Sequence, residues 1–207
     1  RKRDVEADKV QQLTGGGLMV LYAQDNEVFA RTYNASLSPS GAPVNIATNT
    51  DDFQGTMYST PLNDGGFVAV WTSQSTSVAT GSGTRGVSAQ IFDAAGNPVG
   101  TEIIVDNAPL ASDAAWQPRV TATGDGGFAV VWYDQRDQYM YGRAYDADGD
   151  PISSSFQIDS VANGIPFTAV AGTSDNGVLA FYVDNDANAR GIHAVKITPD
   201  PVPSGLF

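Results

Sequence analysis

The sequence predicts an all-β fold, a small β-propeller of four blades with about four antiparallel strands each. The main observation is a segment that occurs four times: a Gly-Gly or Asn-Gly step, then a short apolar strand that ends on an aromatic residue. The four copies lie at 16–22, 65–71, 126–132 and 176–182. A unit that recurs about every 50 residues is typical of repeat proteins, in which neighbouring units bury each other's apolar faces.

Three further strands accompany each glycine-led strand. One precedes the glycine step, one begins at Val28, Val87, Met140 or Ile192, and one follows a turn that contains proline. The turn is clearest at 93–99 and 146–152, where Asp, Gly and Pro supply the conformations that a tight turn needs. Each unit therefore reads as four short strands in up-and-down order.

The glycine-led strands are apolar at every position, as at 67–71, rather than alternating. A strand of this kind is buried on both faces, as it would be between two neighbouring propeller blades. We expect one domain over 1–207, with blades near 9–54, 55–116, 117–165 and 166–207. A β-sandwich and an open stack of sheets are the alternatives, and an open stack leaves two apolar faces exposed.

Composition limits the function. The chain has 23 acidic and 11 Lys or Arg residues, for a formal net charge of −12. Such a surface repels phosphate backbones, so we expect no nucleic acid partner. There is no cysteine for a disulfide and no apolar run long enough for a membrane span. The chain begins without Met or an apolar signal segment, so we expect a mature form or a fragment of a longer protein.

The segment DGGFVAVW at 64–71, followed by GVSAQIFDAAGNPVGTE at 86–102, resembles a repeat of large secreted bacterial proteins. Those proteins often carry glycine- and aspartate-rich calcium-binding repeats and leave the cell by type I secretion. The second and third copies match best, whereas Leu18 and Val178 replace the aromatic residue in the first and fourth. The resemblance implies an extracellular or cell-surface protein with a non-catalytic, adhesive or scaffolding role.

The residues themselves give little sign of catalysis. The one histidine, His193, lies in a predicted strand, and most carboxylates fall in turns, where Asp is common for structural reasons. We therefore predict a non-enzymatic structural or binding module whose partners are other protein subunits or cell-surface glycans. The alternatives are a lectin-like glycan-binding propeller and a glycosidase that uses two carboxylates.

The predicted ligand site is on one face of the propeller. Loops that join the second and third strands of a blade open on the same face as loops between blades. Trp116, Tyr133 and Tyr139 lie near these loops, beside carboxylates that include Asp134 and Asp137. Aromatic rings next to carboxylates suit a sugar. The alternative for Trp116 is packing under a blade edge before Pro118.

Two loops have the oxygen spacing of a calcium site. Asp184, Asp186 and Asn188 occupy positions one, three and five of the first loop, and Asp146, Asp148 and Asp150 those of the second. Such oxygens can converge on a hard cation, so calcium is the one cofactor that the sequence suggests. The second loop coincides with the repeated proline turn, and an ordinary turn is the alternative there.

Overall fold

The computed structural model describes residues 6–13, 16–25, 27–47, 57–77, 82–109, 115–134, 137–160, 169–184 and 191–198. Within these ranges every regular element is a β-strand. The same residues include no helix of the length and apolarity that a membrane crossing requires. The prediction of an all-β protein is confirmed.

The strands form four antiparallel sheets, each in chain order. Sheet 1 contains β1 (Glu6–Gln12), β2 (Leu18–Gln24), β3 (Glu27–Tyr33) and β4 (Val44–Asn45). Sheet 2 contains β5 (Met57–Pro61), β6 (Phe67–Ser77), β7 (Ser82–Phe92) and β8 (Pro98–Pro109). Sheet 3 contains β9 (Ala115–Ala122), β10 (Phe128–Asp134), β11 (Tyr139–Tyr145) and β12 (Phe156–Ser160). Sheet 4 contains β13 (Ala169–Gly172), β14 (Val178–Asp184) and β15 (Gly191–Ile197).

Close backbone packing explains the repeated glycine step. Gly65 has φ +88°, a left-handed conformation that suits glycine, and the next residue, Gly66, lies against the neighbouring strand. A Cβ on Gly66 would lie 2.3 Å from the carbonyl oxygen of Phe92, so a side chain cannot fit. In the fourth copy Asn176 takes the positive φ, at 62°.

In sheets 2 and 3, each glycine-led strand packs against both neighbouring sheets. Its second and fourth residues face the next sheet, and its first, third and fifth face the preceding one, because side chains alternate along a strand. In β6, Val68 and Val70 thus pack toward sheet 3, while Phe67 and Trp71 pack toward sheet 1. All seven residues of β10 are buried, which confirms the prediction of strands covered on both faces.

Three apolar cores result, one between each pair of consecutive sheets. In two of these cores, the first residue of the glycine-led strand stacks on an aromatic residue of the next strand. The ring centroids of Phe67 and Phe92 lie 4.6 Å apart, and those of Phe128 and Tyr145 lie 5.0 Å apart.

Within the described ranges the sheets do not close into a ring. Sheet 1 contacts sheet 2, sheet 2 contacts sheet 3, and sheet 3 contacts sheet 4, but the described ranges show no comparable packing of sheet 4 on sheet 1. The predicted closure into a four-bladed ring is therefore absent here. The expected last strand, at 206–207, lies outside the described residues.

The hairpin of β6 and β7 is the longest in the described residues. Its two strands stay paired as far as Ser77 and Ser82, whereas the glycine-led strands of the other sheets have seven residues each.

Candidate functional site

A polar cavity of about 220 Å³ opens between sheets 2 and 3. Sheet 2 contributes Asp106 from β8, and the other lining residues come from the strands of sheet 3 and the segments that connect them. The lining residues are Asp106, Trp132, Asp134, Asp137, Tyr141 and Ser155.

The strand register brings the aromatic and acidic residues together. Trp132 and Asp134 are two residues apart in β10, so their side chains lie on the same face of the sheet. Tyr141 is directly opposite Trp132 on β11, and the two rings stack with centroids 6.1 Å apart. The aromatic end of the repeated strand thus becomes one wall of the cavity.

A tight turn fixes the second carboxylate. The amide of Gln138, which has φ +65°, donates to the carbonyl oxygen of Asp134 at 2.9 Å. Asp137 accepts hydrogen bonds on both carboxylate oxygens, from the Tyr139 amide at 3.1 Å and from the Tyr141 hydroxyl at 2.6 Å. Asp137 is exposed at the mouth of the site, and these two hydrogen bonds hold its carboxylate in one orientation.

The carboxylates make the surroundings of the cavity electronegative. Burial raises the pKa of Tyr133 above its usual value, and the charges of Asp134 and Asp137 raise it further. Burial likewise raises the pKa of Tyr145 to about 12; nearby Arg143 opposes this rise and the charge of Asp106 adds to it. Both phenols therefore stay neutral beside negative charge.

Trp132 offers a hydrogen-bond donor beside these acceptors. Its side chain is 2% exposed, and its buried indole Nε1–H meets no hydrogen-bond acceptor within the described ranges. A buried donor without a partner is unfavourable, so an acceptor from a bound molecule would be stabilising.

The three carboxylates do not converge on one point. Among the described residues no group of three or more acidic or histidine side chains is placed to hold a metal ion. Carboxylates that line one cavity but stay apart can instead contact different groups of a bound molecule. Together with two stacked aromatic rings, they suit the hydroxyl-rich edges and apolar face of a sugar.

Of the sequence-predicted aromatic residues, Tyr133 and Tyr139 do not line this cavity. Tyr133 lies on the opposite face of β10 and packs in the core between sheets 3 and 4 with Tyr182. Tyr139 is half-buried and contributes its backbone amide to Asp137. Trp116 pairs with Tyr133 through the backbone, and its side chain lies outside the described residues.

Sequence reasoning missed Trp132 and Tyr141 as site residues. It treated Trp132 only as the buried end of a repeated strand and did not single out Tyr141. The alternation of side chains along a strand could have identified Trp132. It lies two residues before Asp134, on the same strand face, and Asp134 was already expected on the ligand side.

The predicted calcium loops are only partly described. Asp146 uses one carboxylate oxygen to accept from the amides of Asp148, at 3.0 Å, and Asp150, at 2.9 Å. Asp93 makes the same contacts in sheet 2, so this is a repeated Asx turn. Of the other loop, Asp186, Asn188 and the side chain of Asp184 lie outside the described residues. Calcium at either loop stays a prediction.

Comparison with known proteins gives structural matches alone: no family model and no curated protein matches the sequence. The chain is similar to an ulvan lyase of polysaccharide lyase family PL25, solved with a bound glucuronate–sulfated rhamnose unit. The TM-score is 0.60 at 8% identity, over 92% of this chain and 52% of the lyase. A second structure of a PL25 ulvan lyase gives a TM-score of 0.58 at 9% identity, with the same coverage of both chains. An endo-arabinase from Bacteroides thetaiotaomicron gives 0.46 at 13% identity, over 96% of this chain and 75% of that one.

The likeness to the ulvan lyase supports the fold class and corrects one expectation. The chain spans about half the length of the ulvan lyase. We had expected a non-enzymatic adhesive or scaffolding module, because its repeat architecture and dispersed acids argued against catalysis. That prediction is wrong on both grounds. A polysaccharide-cleaving enzyme has this architecture, and three acids line one cavity here.

Proposed function

We propose that the protein is a carbohydrate-active enzyme that binds a glycan in the cavity between sheets 2 and 3 and hydrolyses it with a pair of carboxylates. The observation that supports this best is the shared lining of that cavity by three carboxylates and two stacked aromatic rings. Glycoside hydrolysis needs two carboxyl groups on either side of the bond that breaks.

The residues take distinct roles in this proposal. Asp134 and Asp137 are the acid–base pair, because they line the same cavity from the last residue of β10 and from the turn before β11. One protonates the leaving oxygen and the other activates water or attacks the sugar. Tyr141 orients Asp137 through its hydroxyl, and Asp106 contacts sugar hydroxyls from sheet 2.

Charge argues for a neutral glycan. Eliminative cleavage acts on uronic acids, whose carboxylates would meet Asp106, Asp134 and Asp137 in this cavity. Like charges at close range repel strongly where water is partly excluded. The formal net charge of −12 acts in the same direction at longer range. We therefore infer hydrolysis of a neutral polysaccharide rather than elimination on an acidic one.

In this proposal the four sheets are blades of a propeller. The protein acts outside the cell. Acidity, the absence of cysteine and the resemblance to secreted bacterial repeat proteins support an exported protein. An extracellular location also suits a polymeric substrate, which cannot cross a membrane.

The test is a screen of neutral and uronate-containing polysaccharides, with reducing ends measured for hydrolysis and ultraviolet absorbance for the unsaturated product of elimination. We expect hydrolysis of a neutral glycan, and a loss of about 100-fold or more in rate for Asp134→Asn and Asp137→Asn. Asp146→Asn is the matched control, because Asp146 does not line the cavity. The asparagine side-chain oxygen can still accept the two backbone hydrogen bonds of the turn.

Each result decides between functions. Full activity of the Asp134→Asn variant would contradict the assignment of the pair. An unsaturated product would show a lyase, and binding that depends on Trp132 without any cleavage would show a lectin-like protein.

A further inference from the structure

Sheet 4 leaves an apolar face uncovered. Phe181 is 37% exposed and Ile192 is 79% exposed, although both lie in regular strands. The register of sheet 4 places them on the face that points away from sheet 3. By register this face carries Ala169, Ala171, Leu179, Phe181, Val183, Ile192 and Ala194.

Sheet 1 has a matching apolar face at the other end of the stack. Val10 is 61% exposed and lies opposite Val20, on the face away from sheet 2. Tyr22 and Phe29 stack on the same face with ring centroids 5.5 Å apart. By register this face carries Val10, Leu18, Val20, Tyr22, Phe29 and Tyr33, together with Arg31 opposite Val20 and Gln12 opposite Leu18.

The repeat explains why the two faces fit each other. Leu179 and Phe181 are the second and fourth residues of their glycine-led strand, the positions that elsewhere pack on the following sheet. Leu18, Val20 and Tyr22 are the first, third and fifth residues, which elsewhere pack on the preceding sheet. Among the described residues, sheet 4 therefore has no following sheet and sheet 1 has no preceding one.

We propose that a second copy of this chain covers both faces, so that sheet 4 of each copy packs on sheet 1 of the other. A two-fold axis relates the two junctions, and the pair closes into a ring of eight sheets. In one copy of the described residues, Val10, Phe181 and Ile192 are exposed to water.

The length comparison favours a second copy. This chain, over 92% of its residues, matches 52% of the ulvan lyase. Two copies would therefore have about as much of this architecture as one whole lyase. The junction would bury two basic side chains that already have partners. Lys196 is paired with Asp175, and the guanidinium of Arg31 lies 5.7 Å from the ring centroid of Tyr33.

Sedimentation across a wide range of protein concentrations tests the proposal, with Ile192→Asp and Val10→Asp as variants. Both side chains are mostly exposed in one copy, so the substitutions leave the fold intact, which circular dichroism checks. We expect a wild-type dimer and, for each variant alone, dimerisation weakened on the order of 100-fold, because a charge would be buried in each junction. Ile104→Asp is the matched control, since Ile104 is 53% exposed on an edge strand of sheet 2 and its variant should remain dimeric.

Mixing the two variants gives a sharper test. One junction of a mixed pair combines an unchanged sheet 4 with an unchanged sheet 1, so the mixture should recover a dimer that neither variant forms alone. A monomeric wild type, a dimer that Ile192→Asp leaves unchanged, or a mixture that stays monomeric would overturn the proposal. Growth into species larger than a dimer would overturn the closed ring.

Discussion

Trp71 and Trp132 occupy the same position of the repeat, yet they lie in different surroundings. Trp71 packs between sheets 1 and 2 in a core with Met57 and Phe67. Trp132 is nearly as buried between sheets 2 and 3, but it also lines a polar cavity. The same backbone position therefore serves packing in one interface and a candidate site in the next.

Neighbouring positions make the difference. Ser88 lies across the ladder from Trp71, whereas Tyr141 lies across from Trp132 and stacks on it. Two residues further along the strand, the second copy has Ser73 and the third has Asp134. The comparison shows that the repeat sets the fold while residues at its margins set the chemistry.

Removing the ring at Trp71 should have the largest effect. Trp71→Ala should lower the free energy of unfolding by about 3–5 kcal/mol, because a fully buried aromatic side chain leaves a cavity. Trp132→Ala should cost less, because part of its ring already borders open space. Denaturant unfolding of both variants checks this order. Equal losses would mean that the two interfaces are packed alike.

Alkaline titration should separate the same two interfaces. Tyr145 and Phe92 occupy equivalent positions, each stacked on the first aromatic residue of its glycine-led strand. The pKa of Tyr145 is raised from 10.0 to about 12, so its neutral form is favoured in the folded state. Its contribution to stability is therefore complete below pH 10 and is lost as the pH rises toward 12, by about 2–3 kcal/mol.

Unfolding free energies measured between pH 9 and pH 12 test this prediction. Tyr145→Phe copies the residue that sheet 2 has and should flatten this part of the curve. A variant with the same alkaline loss as the wild type would assign the titration to another group.

Calcium should have the smallest effect. The turn of Asp146 matches the turn of Asp93, where Ala95 stands in place of Asp148, and in both turns backbone amides already engage the first carboxylate. We expect thermal midpoints with calcium and with chelator to differ little, and Asp148→Ala to leave that difference unchanged. A large calcium-dependent rise that Asp148→Ala abolishes would establish a site in this turn.

The sequence by itself determined the repeated local structure. Gly66 is required because the carbonyl of Phe92 occupies the space of its Cβ, and apolar strands such as 128–134 are buried on both faces. Short-range conformational preferences also determine the proline turns, the up-and-down order of the strands and the four repeated units. Such preferences act within a few residues, so the sequence displays them directly.

Tertiary structure alone decided the candidate site and the ends of the stack. Asp106 comes from sheet 2 and reaches the Trp132 cavity only because two sheets pack face to face. The period of the repeat likewise cannot specify closure, because each unit specifies contacts with its neighbours but not how many neighbours complete the ring. Both results depend on the angle and distance between sheets, which many weak contacts set together.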